Sequence, residues 1–182
     1  MGHLLVRPTG NILVDCPCNI LQYQQHLKEL GGVRKLYFSH SHKTLPSDIL
    51  EYFKNKGVKI ERPGLWNWNL KQKFIEKKEV DSDLNVLYTP GHTSDSVIVQ
   101  WIDQGVTRWF TGETVFMWRN QLTRSIQYSD DNAQLNQTLE FLKDHVVDWI
   151  YPSRSDTLDS FKLNITSLEK WKHDLTRCQK QF

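Results

Sequence analysis

Apolar residues recur along the chain at two spacings, a period of two that is typical of strands and a period near 3.6 that is typical of helices. Strands are predicted at 3–7, 11–15, 34–39, 58–61, 84–89, 95–102, 107–111 and 147–151. Pro8-Thr9-Gly10 lies between the first two strands and predicts a hairpin, and Gln104-Gly105 predicts a second tight turn. The chain is therefore expected to contain a large amount of sheet.

Four amphipathic helices are predicted between and after these strands. Their inward-facing residues are expected to be Ile20, Tyr23, Leu27 and Leu30, then Ile49, Leu50 and Phe53, then Leu135, Leu139, Leu142 and Val146, and finally Leu168, Trp171, Leu175 and Cys178. Gly31-Gly32 is expected to end the first helix and Pro46 to begin the second. A capping box of Thr166 and Glu169 predicts the start of the last helix. The order of elements indicates the α/β (α+β) class.

Composition limits the kinds of protein this can be. The 182 residues are expected to form one domain, 1–182, which is long enough to bury a core without disulfides. A formal charge of +2 gives no reason to expect nucleic acid or an anionic membrane as a partner. Three cysteines do not make a secreted disulfide framework, and the chain has neither a charged leader nor an apolar run near the roughly 20 residues of a membrane span. We therefore expect a cytoplasmic location.

Three of the seven histidines follow predicted strands, at the points where loops begin. His40 and His42 are two residues apart, and in extended backbone alternate side chains point the same way. His92 follows Pro90-Gly91, which predicts a sharp turn. Three imidazoles around one ion, with a water in the fourth position, are typical of catalytic zinc. Taken alone, the pair at 40 and 42 is a weak motif, and a chance spacing on a polar loop is the better interpretation of it.

The surrounding sequence changes that balance, because five segments in chain order resemble landmarks of the metallo-β-lactamase superfamily. They are 11–15, a strand ending in aspartate; 40–45, the HxHxDH loop; 88–97, the Pro-Gly-His-Thr turn; 110–113, the Gly-Asp segment; and 151–154, the last Pro-Gly-His segment. The resemblance covers roughly residues 3–155. It implies a four-layer αββα sandwich with the site along one edge of two sheets, and it leaves open whether an opening strand or two is trimmed from the N-terminus.

The chain departs from these motifs at the second metal site of the family. The resemblance implies a first metal held by His40, His42 and His92, all of which are present. Thr44 and Leu45 stand where the family has aspartate and histidine, and Arg154 stands where it has the last histidine. None of these three is a plausible metal ligand in that role. One metal site is thus expected to be intact and the other erased.

The resemblance also implies roles for three further residues. Glu113 replaces the aspartate that bridges the two metals, and it is expected to be the fourth ligand or to accept a proton from water. Arg154 is expected to hydrogen-bond to Glu113 in the space of the lost metal, or to stabilise an oxyanion; an exposed loop residue is the alternative. Asp15 is expected to orient a metal-binding histidine through its second ring nitrogen.

Three functions remain open. The first is a hydrolase with one zinc ion per chain that acts on a small ester, thioester, lactone or lactam. The second is an inactive relative that binds no metal and serves as a binding or structural module. The third is an iron enzyme of the dioxygenase type, with His40, His92 and Glu113 as ligands. The first and third take a small-molecule substrate, the oligomeric state is left open, and metal content distinguishes all three.

Overall fold

A computed structural model describes residues 1–63, 77–125, 128–156 and 162–180 of the chain. Its strands are β1 (His3–Leu5), β2 (Ile12–Val14), β3 (Lys35–Tyr37), β4 (Lys59–Glu61), β5 (Lys77–Asp81), β6 (Leu84–Tyr88), β7 (Val97–Asp103), β8 (Val106–Gly112), β9 (Phe116–Trp118), β10 (Gln121–Thr123), β11 (Trp149–Pro152) and β12 (Leu163–Asn164). Its helices are α1 (Gln24–Glu29), which continues a 3₁₀ turn at Ile20–Tyr23, then α2 (Ser47–Asn55), α3 (Asn132–Leu142) and α4 (Leu168–Gln179).

Ten of these strands form two sheets. The first has the order β1-β2-β3-β4, in which β1 and β2 make the predicted hairpin and β2, β3 and β4 run parallel. The second has the order β12-β11-β8-β7-β6-β5, with antiparallel pairing throughout except that β11 runs parallel to β8. The parallel neighbours in the first sheet follow from α1 and α2. A helix between two strands carries the chain back to the end of the sheet where the first strand began, so the next strand runs in the same direction. The two helices predicted between strands 11–15, 34–39 and 58–61 are confirmed, so the chain runs β-α-β-α-β from β2 to β4.

The two sheets pack face to face because their strands alternate in the direction of their apolar side chains. In β2, Ile12 and Val14 face the second sheet, whereas Leu13 faces α1 and α2. The residues buried between the sheets are Leu5, Ile12, Val14, Tyr37, Leu84, Val86, Tyr88, Val97, Val99 and Phe110. The outer face of the first sheet is covered by residues of α1 and α2, including Leu27, Ile49 and Phe53.

Helices α3 and α4 cover the outer face of the second sheet. Trp109 and Ile150 point away from the first sheet and pack with Leu139 of α3 and Leu175 of α4. The indole of Trp171 donates a 2.8 Å hydrogen bond to the carbonyl of Leu142 and so ties α4 to the end of α3. Three separate cores therefore lie between four layers, in the order helices, sheet, sheet, helices, as the resemblance to the superfamily implied. None of the helices in the described ranges has the length and hydropathy needed to cross a bilayer.

Several residues predicted to face the core are exposed instead. They are Tyr23 at 49%, Leu30 at 38%, Val146 at 72% and Leu168 at 42% exposure. Each of the four lies at or beyond the end of its helix or on the 3₁₀ turn, where the helical period no longer sets the direction of the side chain. The capping prediction is also displaced by one residue, because Ser167 rather than Thr166 accepts the hydrogen bond from Lys170 N.

Candidate metal centre

Strands from both sheets end at the same edge of the sandwich and carry the predicted site residues there. Asp15 follows β2, His40 and His42 follow β3, His92 follows β6, Glu113 follows β8 and Arg154 follows β11. The backbone amide of Val97 donates to the carbonyl of Ser39 at 2.8 Å, which links the two sheets beside the histidines. The site is therefore built from segments that are distant in sequence and meet only in the fold.

The three histidines converge. One ring nitrogen of each lies within 4.8 Å of the corresponding nitrogens of the other two. The ring centroids are 4.7 Å apart for His40 and His92, 5.2 Å for His42 and His92, and 5.8 Å for His40 and His42. Nitrogens at tetrahedral zinc are separated by about 3.4 Å, so a small inward movement of the rings brings them to ligand geometry. The cluster is compatible with a metal ion.

His92 is buried although its polar ring atoms are not hydrogen-bonded to any described residue. It is 1% exposed, and neither ring nitrogen has a hydrogen-bond partner among the described residues. A buried polar atom without a partner costs about 1–3 kcal/mol, which a bound ion would offset. Burial, helped by the neighbouring His40, lowers the pKa of His92 to about 4. The ring is therefore neutral at ordinary pH, with a lone pair free, as metal ligation requires.

A chain of hydrogen bonds fixes the ring of His40. The carboxylate of Asp15 accepts from the amide of Ser39 at 2.9 Å and from its hydroxyl at 2.7 Å, and the same hydroxyl lies 2.8 Å from Nδ1 of His40. Since the Ser39 proton goes to Asp15, Nδ1 of His40 is the donor in the second bond, and its Nε2 carries the lone pair. Asp15 thus acts on the second ring nitrogen of His40 through the hydroxyl of Ser39. Burial also lowers the pKa of His40, which keeps the ring neutral.

The turn that carries His92 is held by the start of α3. The carbonyl of His92 accepts from Asp130 N, and the carbonyl of Gly91 accepts from Asp131 N, both at 3.0 Å. The hydroxyl of Thr138 donates to the carbonyl of Pro90 at 2.7 Å. The Pro-Gly turn therefore has its backbone groups satisfied by one helix, which sets the direction in which the His92 ring points.

Glu113 lies between the histidines and a cation. Its Oε1 is 3.7 Å from Nε2 of His40, and its Oε2 is 3.8 Å from Nε2 of His92. The ammonium of Lys43 donates a hydrogen bond to Oε1 at 3.1 Å. Burial acts to raise the pKa of Glu113, but the charge and the hydrogen bond of Lys43, together with the neighbouring His40 and His92, lower the pKa overall. Glu113 is therefore an ionised carboxylate at neutral pH.

Arg154 does not form the hydrogen bond to Glu113 that the sequence predicts. Its Nη1 lies 4.0 Å from Oε2 of Glu113, the outer limit of an ion pair. The guanidinium carbon instead lies 5.0 Å from the ring centre of Phe116 and 5.9 Å from that of Tyr128. The aromatic rings hold Arg154 back, and Lys43 makes the close contact with the carboxylate.

The positions of the erased second site hold no ligand set. Leu45 is half-buried and packs against the apolar core beneath α2, and Thr44 is exposed. Within the described ranges, the histidine cluster is the one group of three or more potential ligands close enough to bind an ion. Two residues of the site, Lys43 and Ser39, were not assigned roles from the sequence. Both flank the histidine pair, and that adjacency was the available signal.

Two sizeable clefts lie away from these residues. One, of about 590 Å³, lies between α1 and α2, and the other, of about 680 Å³, lies beside β1 and the 3₁₀ turn. Neither is lined by a histidine of the cluster. The donor atoms, rather than the size of a cavity, therefore identify the candidate site.

Comparison with known proteins finds no match by sequence and several matches by structure. No protein-family model matches the chain, and no curated protein matches its sequence. Solved structures match over almost the whole chain. ETHE1 from Myxococcus xanthus gives a TM-score of 0.65 at 19% identity, covering 100% of this chain and 80% of that one. A metallo-β-lactamase from Pontibacter korlensis gives 0.63 at 16% identity, covering 99% and 87%.

A metallo-β-lactamase from Staphylococcus aureus gives a TM-score of 0.64 at 18% identity, with 95% of this chain covered. The chain spans 56% of the length of that protein. Together the matches show that the chain has the metallo-β-lactamase fold, in agreement with the four layers described above. At these identities they establish the fold and leave the activity to be argued from the site.

Proposed function

We propose that the chain is a hydrolase that uses one metal ion, zinc, to cleave a small ester, thioester, lactone or lactam. The observation that carries the proposal is the convergence of three histidines, one of which, His92, has both ring nitrogens buried without a partner. His40, His42 and His92 would hold the ion. Zinc with three histidine ligands supplies a Lewis acid that lowers the pKa of water to about 7.

The proposal gives Ser39 and Asp15 the task of presenting His40. Their hydrogen bonds hold Nδ1 as the donor and leave Nε2 directed toward Glu113, which lies 3.7 Å away on the ligand side of the ring. Such outer partners raise the basicity of a ligating imidazole and hold its orientation. Loss of either partner is therefore expected to weaken metal binding.

Glu113 is the proposed proton acceptor. Lys43 occupies its Oε1, which leaves Oε2, beside His92, as the atom that takes a proton from the attacking water. Because its pKa is lowered, the carboxylate is ready in its ionised form at neutral pH. Lys43 also supplies positive charge beside Glu113, where the family has a second metal. In this proposal the Lys43 ammonium group supplies the positive charge beside Glu113 that a second metal ion would otherwise supply.

Metal content after purification without added metal tests the proposal. We expect about one zinc per chain by elemental analysis, in accordance with one three-histidine site. His92→Ala is expected to lose the metal, whereas His26→Ala, which changes a histidine with a 68% exposed side chain on α1, is expected to keep it. Zinc-dependent hydrolysis is then measured on a panel of chromogenic esters, thioesters and lactams. A chain with neither metal nor hydrolysis would be the inactive relative.

A second candidate is favoured by the position of Glu113. Its two oxygens lie 3.7 and 3.8 Å from Nε2 of the buried His40 and His92, whereas the side chain of His42 is 49% exposed. Two histidines and one carboxylate are the ligand set of non-haem iron oxygenases. Iron in place of zinc in the purified protein, together with oxygen consumption, would support this candidate over the hydrolase.

A further inference from the structure

The cleft between α1 and α2 lies at the opposite end of the first sheet from the candidate metal centre. Asn11 and Arg34, which line the cleft, come immediately before β2 and β3, whereas Asp15 and His40 follow the same two strands. At about 3.3 Å per residue, the extended chain from Asn11 to Asp15 separates the two ends by about 13 Å. A molecule bound in this cleft would therefore lie well away from the three histidines.

The buried side chains that line the cleft are mostly apolar. Leu27, Phe53 and Val58 are 6%, 1% and 8% exposed, and the half-buried ring of Tyr52 lies beside that of Phe53, with 5.3 Å between the ring centres. Asn11 is buried as well, but its amide nitrogen already donates to two backbone carbonyls. The volume of about 590 Å³ is typical of small-molecule sites. The cleft can thus take the apolar body of a small organic molecule.

Positive charge surrounds this apolar lining. Lys28, Arg34 and Lys56 line the cleft and are exposed, and none of the described lining residues is acidic. Across the part of the chain that the structure describes, none of the three cations forms an ion pair. Lys28 and Lys56 lie at the ends of α1 and α2, where the helix dipole favours basic residues, but Arg34 lies outside the helices. Three cations without a negative partner around one cleft attract an anion.

The turn between β1 and β2 holds the side chain of Arg34. Its Nη1 donates a hydrogen bond to the carbonyl of Thr9. Its Cδ packs against Gly10, where an added Cβ would lie only 2.6 Å away. The bond to Thr9 uses one of the five N–H groups of the guanidinium. The others can serve a ligand, and their geometry matches the oxygens of a phosphate group.

We propose that this cleft binds a small organic phosphate monoester. Lys28, Arg34 and Lys56 hold the phosphate, and the apolar body of the ester lies against Leu27 and Phe53. A phosphate monoester carries a charge of about −1.5 to −2 at pH 7 and has three terminal oxygens, so it suits three cations better than a singly charged carboxylate does. Because the cleft is separate from the metal centre, the proposal does not depend on the proposed hydrolase.

Calorimetry with three probes tests whether both parts of the cleft contribute to binding. The probes are 1-naphthyl phosphate, inorganic phosphate and 1-naphthol, titrated into metal-free protein because phosphate would bind a zinc ion directly. We expect 1-naphthyl phosphate to bind at least about 5-fold more tightly than either fragment, since only the ester meets both the cations and the apolar lining. Its affinity should fall as sodium chloride is raised, because salt screens exposed charges. An ester that binds no more tightly than one of the fragments would overturn the proposal.

Substitution of the cations tests the assignment of the phosphate. Lys56→Met and Arg34→Met are each expected to weaken binding of 1-naphthyl phosphate about 3- to 10-fold. Lys54→Met is the matched control, because Lys54 is an exposed lysine in the last turn of the same helix as the cleft-lining Phe53, and it does not line the cleft. Equal affinities in Lys54→Met and Lys56→Met would contradict the proposal. Thermal unfolding shows whether each variant is folded, and Lys56→Met keeps the test decisive if Arg34→Met does not fold.

A substitution at the metal centre locates the bound ester. Lys43 lies beside Glu113, at the other end of the first sheet, so Lys43→Met should leave the affinity for 1-naphthyl phosphate unchanged. Binding that is weakened by Lys43→Met and not by Lys56→Met would place the ester at the metal centre and refute the assignment to the cleft. Since all of these titrations are made without metal, a chain that lacks zinc or hydrolysis would overturn the proposed function and leave this site standing.

Discussion

Replacing Gly112 with alanine should damage the fold and the metal centre together. Gly112 ends β8 with φ at +58°, and a Cβ placed there would lie 2.5 Å from Cβ of Ser39 and closer still to its hydroxyl oxygen. Ser39 is the residue that connects Asp15 to His40. An added methyl group therefore displaces the one hydroxyl that fixes the His40 ring.

The expected loss in the free energy of unfolding of Gly112→Ala has two parts, backbone strain and overpacking. A non-glycine residue in the left-handed region costs about 1 kcal/mol or slightly more. Forcing a methyl group into a packed neighbour adds about 1–3 kcal/mol. Gly105→Ala isolates the first part, because Gly105 has φ at +78° and open space, with no described atom beyond its chain neighbours within 4 Å of a Cβ. For a chain of this length, the expected fall in Tm is about 10 °C for Gly112→Ala and about 4 °C for Gly105→Ala.

Urea unfolding gives the free energy of unfolding of each variant, and a competition assay with a chromogenic chelator gives its zinc affinity. Gly112→Ala should lower zinc affinity about 10-fold or more, since it moves a group that orients a ligand, whereas Gly105→Ala should leave it unchanged. Equal destabilisation by the two substitutions would refute the packing argument. A Gly112→Ala protein with native zinc affinity would refute the connection from Ser39 to the metal centre.

Three further predictions concern the hydrogen bonds from Asp15 through Ser39 to His40, the ion pair of Arg7 with Asp83 (the clamp between the sheets), and acid stability. Ser39→Ala should weaken zinc binding about 10- to 100-fold in the same chelator assay, and an unchanged affinity would remove Ser39 from the account of His40. Arg7, whose side chain is 2% exposed, binds Asp83 of the β5–β6 turn through two hydrogen bonds; Arg7→Met should lower the free energy of unfolding by about 2 kcal/mol in urea, and a loss below about 0.5 kcal/mol would count against the clamp. In metal-free protein, the pKa of His92 is about 4 when folded and about 6.5 when unfolded, so the unfolded chain takes the proton first as the pH falls. The free energy of unfolding should therefore drop between pH 6.5 and 4 by up to about 3 kcal/mol, and His92→Asn should have a flatter profile over that range.

The four-layer fold and the three-histidine site could be predicted from the sequence, because short motifs such as Pro90-Gly91-His92 resemble those of the metallo-β-lactamase superfamily and that resemblance implies both. Alternating apolar residues in β2, with Ile12 and Val14 on one side and Leu13 on the other, give the strand two buried faces. Pro90-Gly91 before His92 sets a turn at a strand end whatever the rest of the chain does. These signals depend on a few neighbouring residues, so they could be read without the tertiary structure. Very short strands, such as β9, β10 and β12, carry too few residues to show a period and could not.

The partner of Glu113 was decided by the tertiary structure. Lys43 and Arg154 are both cations near the site, and the sequence favoured Arg154 because it stands at a ligand position of the family. The fold brings Lys43 to 3.1 Å from Glu113 and holds Arg154 at 4.0 Å, against the ring of Phe116. The choice depends on side-chain packing between loops that are 41 to 70 residues apart, and differences of about 1 Å decide which cation forms the hydrogen bond. Sequence spacing contains no information at that scale, since it fixes which strands end together but not where each long side chain comes to rest.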